Sequence, residues 1–274
     1  MLKIIVLINI GRKLLMIGLS TACFYPLETE KVIEKAAKMG FKDIEVFFNT
    51  TSELSMDYVL YLKTICNEYD IKVQSVHPFT SFAEPYFFFT DYIRRFNDGC
   101  ELYENYFNLA AILGAKIFNF HGDMLQRKTT PEEYAEIYYK LFILAKKHGI
   151  IFSQENVSRC LSGKSDYLKE LSNILGNDIC FTLDIKQAHR ADEDPYDFVE
   201  KIGSKTVLVH VNDFDEKNEC LLPCYGNYDL RKIIEKMDKF RFKGYYMIEV
   251  YSQNYKEYDE IEESKRKLEK LFRI

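Results

Sequence analysis

Residues 206–213 read Thr-Val-Leu-Val-His-Val-Asn-Asp. The run from Thr206 to Val209 has the composition of a strand buried on both faces, as the strands of a parallel sheet are. It then delivers His210, Asn212 and Asp213, polar groups that an apolar strand does not need for packing. The same design recurs along the chain. Lys72–Phe79 carries His77, Lys116–His121 ends in Asn119-Phe120-His121, and Ile150–Asn156 ends in Gln154-Glu155-Asn156. Ile179–Ile185 carries Asp184, and Tyr245–Tyr251 carries Glu249. Two earlier runs, Ile17–Thr21 and Asp43–Phe48, bring the number of expected strands to eight, the second of them containing Glu45.

Charged segments of helical period lie between the strands: Leu27–Met39, Leu54–Tyr69, Asp91–Leu113, Pro131–His148, Ser165–Leu175, Pro195–Ile202, Leu230–Phe240 and Tyr258–Phe272. Gly40, Gly114, Gly149, Gly176 and Gly203 close five of them, as helix C-termini favour, and Pro131 opens one at its first turn. Eight strand–helix pairs predict a single-domain α/β protein, a closed (β/α)8 TIM barrel. An open doubly wound sheet would want a glycine-rich phosphate-binding turn after an early strand, and neither G-x-G-x-x-G nor G-x-x-x-x-G-K occurs. The barrel is expected to span residues 16–274. Residues 1–15 read as an N-terminal extension: MLKIIVLINI is apolar but too short to span a bilayer, and Gly11-Arg12-Lys13 follows where a cleavage site would lie.

A chain of 274 residues with a net charge of −5 offers no basic surface for phosphates, so nucleic acid is not an expected partner, and neither is a membrane. Seven scattered cysteines without a C-x-x-C read as reduced thiols in a cytoplasmic protein; Cys220 and Cys224 are the one close pair and lack a second pair to complete a metal clip.

In a barrel of this kind, polar residues at strand C-termini meet at one mouth. Six consecutive strands, the third to the eighth, each deliver a His, Asp or Glu there. Carboxylates that converge in one mouth repel each other and lose solvation unless a cation compensates. Glu155, Asp184, His210 and Glu249 form a three-oxygen, one-nitrogen set that suits one Mn²⁺, Mg²⁺, Co²⁺ or Zn²⁺ ion. His77 and His121 either ligate a second ion or contact substrate. Glu45 and Asn156 are candidates for hydrogen bonds to substrate hydroxyls, with an interior ionic partner as the alternative for Glu45. Lys186, Gln187, His189 and Arg190 read as a cationic loop that either greets a phosphate or carboxylate of the substrate or is simply solvated. The aromatic run Phe79, Phe82, Tyr86, Phe87, Phe88 and Phe89 is expected to form a lid over the mouth, an interface between subunits, or core.

Val76-His77-Pro78, Phe118-Asn119-Phe120-His121-Gly122, Gln154-Glu155-Asn156, Thr182-Leu183-Asp184, Val209-His210-Val211-Asn212-Asp213 and Ile248-Glu249, in that order, resemble the xylose isomerase-like TIM-barrel superfamily. Its members include sugar isomerases and epimerases, inosose dehydratases and endonuclease IV. The resemblance implies a metal-dependent isomerase or epimerase of a sugar or sugar phosphate. By that resemblance Glu155, Asp184, His210 and Glu249 hold one divalent metal, and Glu155 and Glu249 exchange the substrate proton through an enediolate. Two departures stand out. The family's histidine three residues after the sixth-strand aspartate is Gln187, and Glu216 stands where ketose 3-epimerases carry a substrate arginine. Endonuclease IV further needs an Asp-x-His after the seventh strand, and no histidine lies between Asp213 and Asp229. A dehydratase sharing the enolisation step is the other alternative.

Overall fold

A computed structural model describes residues 16–271; the expected extension at 1–15 lies outside the described residues. Eight parallel strands close into a barrel in sequence order: β1 Ile17–Ser20, β2 Asp43–Phe47, β3 Lys72–His77, β4 Ile117–Phe120, β5 Ile151–Glu155, β6 Cys180–Asp184, β7 Thr206–Val211 and β8 Tyr245–Ile248. Closure runs through β1 and β8, which pair with Leu19 opposite Ile248. The protein is thus a (β/α)8 TIM barrel, and each strand is a little shorter than the apolar run that announced it.

The helices are α1 Thr29–Lys38, α2 Met56–Glu68, α3 Glu84–Phe87, α4 Ile93–Leu113, α5 Pro131–Lys147, α6 Ser165–Leu175, α7 Ile185–Arg190, α8 Pro195–Ile202, α9 Leu230–Lys239 and α10 Asp259–Leu271. Local chemistry fixes their ends. Thr130 and Glu133 form a reciprocal capping box in front of α5, and Gly114 ends α4 in the left-handed conformation that a Cβ disfavours. Two short helices were not anticipated. The α3 turn interrupts the aromatic stretch, and α7 replaces the expected cationic loop because the Asp184 carboxylate accepts from the Gln187 N–H and caps it.

Most apolar side chains fill the layer between sheet and helices, where Tyr103, Tyr106 and Phe107 meet Phe118 edge to face and Phe120 and Tyr138 lie tilted against Phe152. The barrel interior differs. Ile117, Leu208 and Met247 form an apolar plug, and Gly18 leaves room for the Met247 thioether, which any β-carbon there would overlap. Side chains two residues further along these strands point to the same side. There the interior turns polar: Thr182 donates to Asn119 Oδ1 at 2.7 Å and shares a 2.7 Å hydrogen bond with Ser153. One more step brings the chain to the mouth.

Candidate metal centre

Glu155 ends β5, Asp184 ends β6, His210 lies near the end of β7, and Glu249 follows β8. One donor atom from each lies within 4.8 Å of all the others. His210 Nδ1 is 3.3 Å from Glu155 Oε1, 3.1 Å from Glu249 Oε2 and 3.8 Å from Asp184 Oδ2. On its far side, His210 Nε2 is 3.1 Å from Glu45 Oε2, an oxygen that also accepts from Ser75 (2.8 Å) and Asn119 (2.7 Å). A carboxylate accepts, so Nε2 carries the hydrogen and Nδ1 presents its lone pair to three acids. A lone pair cannot face carboxylates unscreened: either a proton or a cation must sit between them.

The electrostatics follow. Burial alone would lower the basicity of His210, but Glu249, Glu45 and Glu155 outweigh it and hold the imidazole well above its usual range. Burial would likewise raise Glu155, yet His121 and His210 keep its carboxyl well below the ordinary value. Glu249 is held low against burial by His210 and Lys186.

Lys186 reads from sequence as part of a loop that is either substrate-facing or solvated; it is buried instead. Its ammonium bonds Asp184 Oδ2, and Glu249 Oε2 at 2.6 Å, two of the oxygens nearest His210 Nδ1. Burial opposes its charge, and Asp184 and Glu249 overcome that opposition.

His77 and His121 form the neighbouring cluster with Glu155. Their Nε2 atoms are 2.8 Å apart, and Glu155 Oε2 lies 3.4 Å from the first and 3.1 Å from the second. Burial pushes His121 down to about 4, so it is neutral near pH 7.

Other expected substrate contacts are used within the protein. Glu45 is fully buried and meets His210 Nε2. Asn156 donates to the Asp184 carbonyl at 2.9 Å and accepts from the Asp184 N–H at 2.6 Å, a clamp on that strand end. Gln187 Oε1 accepts from the Ser158 N–H and hydroxyl, and His189 stacks on Phe214 at 3.9 Å. Arg190 pairs with Glu219 and Tyr251. The aromatic run does not form a continuous lid. Phe88 and Phe89 are core, Phe79 and Phe87 pack partly against it, and only Phe82 and Tyr86 stand exposed.

Sequence reading missed Glu84 and Arg159. Glu84 is fully buried and accepts from the His121 and Gly122 N–H groups at 2.8 and 2.6 Å and from the Tyr103 hydroxyl at 2.7 Å. It thereby holds the turn after β4, where Gly122 has φ +86° and no space for a β-carbon beside Tyr134. Burial pushes its carboxyl up to about 8. An acid–proline pair inside the aromatic stretch was the available signal.

The donor set fits a dication. Among the described residues, Glu45, Glu155, Asp184 and Glu249 face Lys186 and His210, and Glu155 also faces His77, whose basicity it raises against burial, so negative charge remains in excess even with both imidazoles protonated. Glu155 Oε2 and Glu45 Oε1 are buried without a hydrogen-bond partner. Both facts are what a site built around a further positive charge would show. Lys186 would have to release one or both of its shared oxygens to such an ion.

A closed parallel barrel with acids and imidazoles gathered at its C-terminal mouth defines the class. The chain belongs to the xylose isomerase-like TIM barrel family, whose description matches residues 33–271. It is similar to an uncharacterized protein of Mycobacterium leprae (strain TN), ML2432, at 24% identity over 87% of this chain and 90% of that protein. Among solved structures it is similar to a D-tagatose 3-epimerase-like protein at 20% identity with a TM-score of 0.78, covering 94% of this chain and 97% of the other. The 3-keto-D-glucoside 4-epimerase of E. coli superposes with a TM-score of 0.75 at 14% identity, covering 93% and 99%. A sugar phosphate isomerase/epimerase from Parabacteroides distasonis gives 0.69 at 18% identity, covering 92% of each chain. At such identities the structural likeness speaks for the fold.

Proposed function

We propose that the protein is a divalent-metal-dependent isomerase or epimerase of a sugar or sugar derivative. The observation that carries this reading is the convergence of Glu155, Asp184, His210 and Glu249 on one point of the mouth. Solved structures with the same fold that are named as sugar epimerases and isomerases support it. The four residues would hold one ion, Mn²⁺, Mg²⁺, Co²⁺ or Zn²⁺. When bound, it supplies the positive charge that acidifies a C–H beside a sugar carbonyl.

The remaining work falls to the chain. Glu155 and Glu249 are both held below the usual carboxylate range, so either can take the substrate proton as base, and the other returns one to the opposite face after first taking a proton from solvent. Glu45 fixes the ring of His210, and Asn156 fixes the strand end that carries Asp184. Seven free thiols suit a reducing compartment such as the cytoplasm. The test is a deuterium-exchange screen over ketoses, their phosphates and inososes, run with the metal content measured. Glu155→Gln and Glu249→Gln each lose exchange of the substrate proton with solvent while the fold persists. Full exchange in either variant removes that residue from the mechanism, and a dication stoichiometry unchanged by Asp184→Asn removes the metal.

A second reading rests on the His77, His121 and Glu155 cluster, whose donor atoms also converge within 4.8 Å. A second ion bound there and activity on an abasic duplex would favour phosphodiester cleavage instead.

A further inference from the structure

The side chains behind His77 and His121 decide what that cluster can do. Arg159 Nη2 lies 2.9 Å from His121 Nδ1. A guanidinium has only N–H donors and keeps its protons, so Nδ1 must offer its lone pair. With Nδ1 bare, the ring carries its one hydrogen on Nε2. His77 is set the other way round. Its Nδ1 is 3.2 Å from the Pro78 carbonyl, which can only accept, so the hydrogen sits on Nδ1 and the lone pair on Nε2. The rings meet Nε2 to Nε2 at 2.8 Å, where one N–H against one lone pair is the pairing that attracts. Glu155 pulls for a proton on His77 Nε2 at 3.4 Å, but two facing N–H groups at 2.8 Å would repel.

From these polarities we propose that Arg159 fixes His121 as its Nε2–H tautomer, making His77 and His121 a one-way hydrogen-bond relay beside Glu155 rather than a second dication site. This rests on the reading that Glu155 belongs to a single-ion centre. Neither imidazole then has an Nε2 lone pair to spare: His121 has a hydrogen there, and His77 is already accepting. The His121 N–H also leans towards Glu155 Oε2 at 3.1 Å, the buried oxygen that lacks any other partner. The ring cannot easily be carried aside by its backbone, because the His121 N–H is bound to Glu84 and its carbonyl to Gln154 and Ser162. Arg159 is a positioning residue: it acts on Glu155 through His121, and it keeps the centre mononuclear.

Arg159 is exposed, so Arg159→Met is expected to fold. The first measurement is the histidine tautomer in metal-free, ¹⁵N-labelled protein by long-range ¹H–¹⁵N correlation, with His77→Gln and His121→Gln assigning the signals. Wild type shows His121 protonated at Nε2 and His77 at Nδ1, and in Arg159→Met the His121 hydrogen moves to Nδ1. The second is titration with Zn²⁺. The second equivalent binds Arg159→Met about ten- to a hundredfold more tightly than wild type, the scale of one charge-assisted hydrogen bond. Loss of a positive charge alone also tightens a dication, so tightening without the tautomer change overturns the proposal. So does His121 protonated at Nδ1 in wild type, or a second equivalent that ignores the substitution. The tautomer is read without metal, and the first equivalent is judged by Asp184→Asn, so failure of the single-ion reading is seen separately.

Discussion

His210 and His121 are both buried imidazoles beside Glu155, yet opposite charges stand behind them. Glu45, an acceptor, holds His210 Nε2–H and turns the Nδ1 lone pair towards the acids. Arg159, a donor, takes the His121 Nδ1 lone pair and turns an N–H inward. One ring is prepared to meet a cation and the other to donate. The carboxyl groups divide in the same way. Beside imidazole and ammonium, Glu155 and Glu249 are pulled below their usual range despite burial, whereas Glu84, which supports His121 with no cation bonded to it, is pushed up to about 8. The lesson is that ligand type by itself does not define a metal site; the partner on the other ring nitrogen does.

The largest effect should come from Lys186, the built-in cation of the His210 centre. Lys186→Met leaves Asp184 and Glu249 without their buried partner, so the metal-free protein should lose about 3–5 kcal/mol in urea unfolding. Added Mn²⁺ should restore more stability to the variant than to wild type. An unchanged metal-free midpoint would show that the ammonium does not sit between these carboxylates. Next is Glu45→Gln, which removes the charge behind His210. It should weaken binding of the first dication by about ten- to a hundredfold, as loss of an outer partner of a ligating histidine does, and leave the His121 tautomer unmoved. Equal affinity would erase the contrast between the two rings.

The last effect is in the pH dependence of stability, on the His121 side. The folded Glu84 carboxyl titrates near 8 against an ordinary 4.5, so folding favours its protonated form. The stability it contributes is complete below about pH 4.5 and is lost as pH rises through 8. Wild type should therefore lose stability relative to Glu84→Gln between those limits, burial outweighing the three hydrogen bonds donated to the carboxyl. Parallel stability curves would show that those donors hold Glu84 ionised.

Legibility from sequence followed the range of the forces involved. The strands were readable because β-branched runs such as Thr206–Val209 need only local pattern, and their C-terminal His, Asp and Glu stood out against it. Boundaries were overextended: Tyr245–Tyr251 shortened to Tyr245–Ile248, since ladder pairing with β7 ends at Ile248. The stretch after Asp184 misled for a local reason. Four polar or basic residues read as a loop, whereas the Asp184 cap makes them a helix and pulls Lys186 under the mouth. The roles of Glu84 and Arg159 were not legible, beyond the acid–proline pair at Glu84, because their partners, His121 and Gly122, are 37 or 38 residues away in each case.

Sequence alone determined the eightfold alternation and the chemical types that reach the rim, because both depend on period and composition along one strand at a time. Tertiary structure alone decided which nitrogen of each imidazole faces the acids, and that Glu45 bonds His210, Asn156 the Asp184 backbone, and Lys186 the acids of the mouth. Hydrogen-bond polarity belongs to pairs of residues from different strands, and only closure of the barrel brings those pairs together.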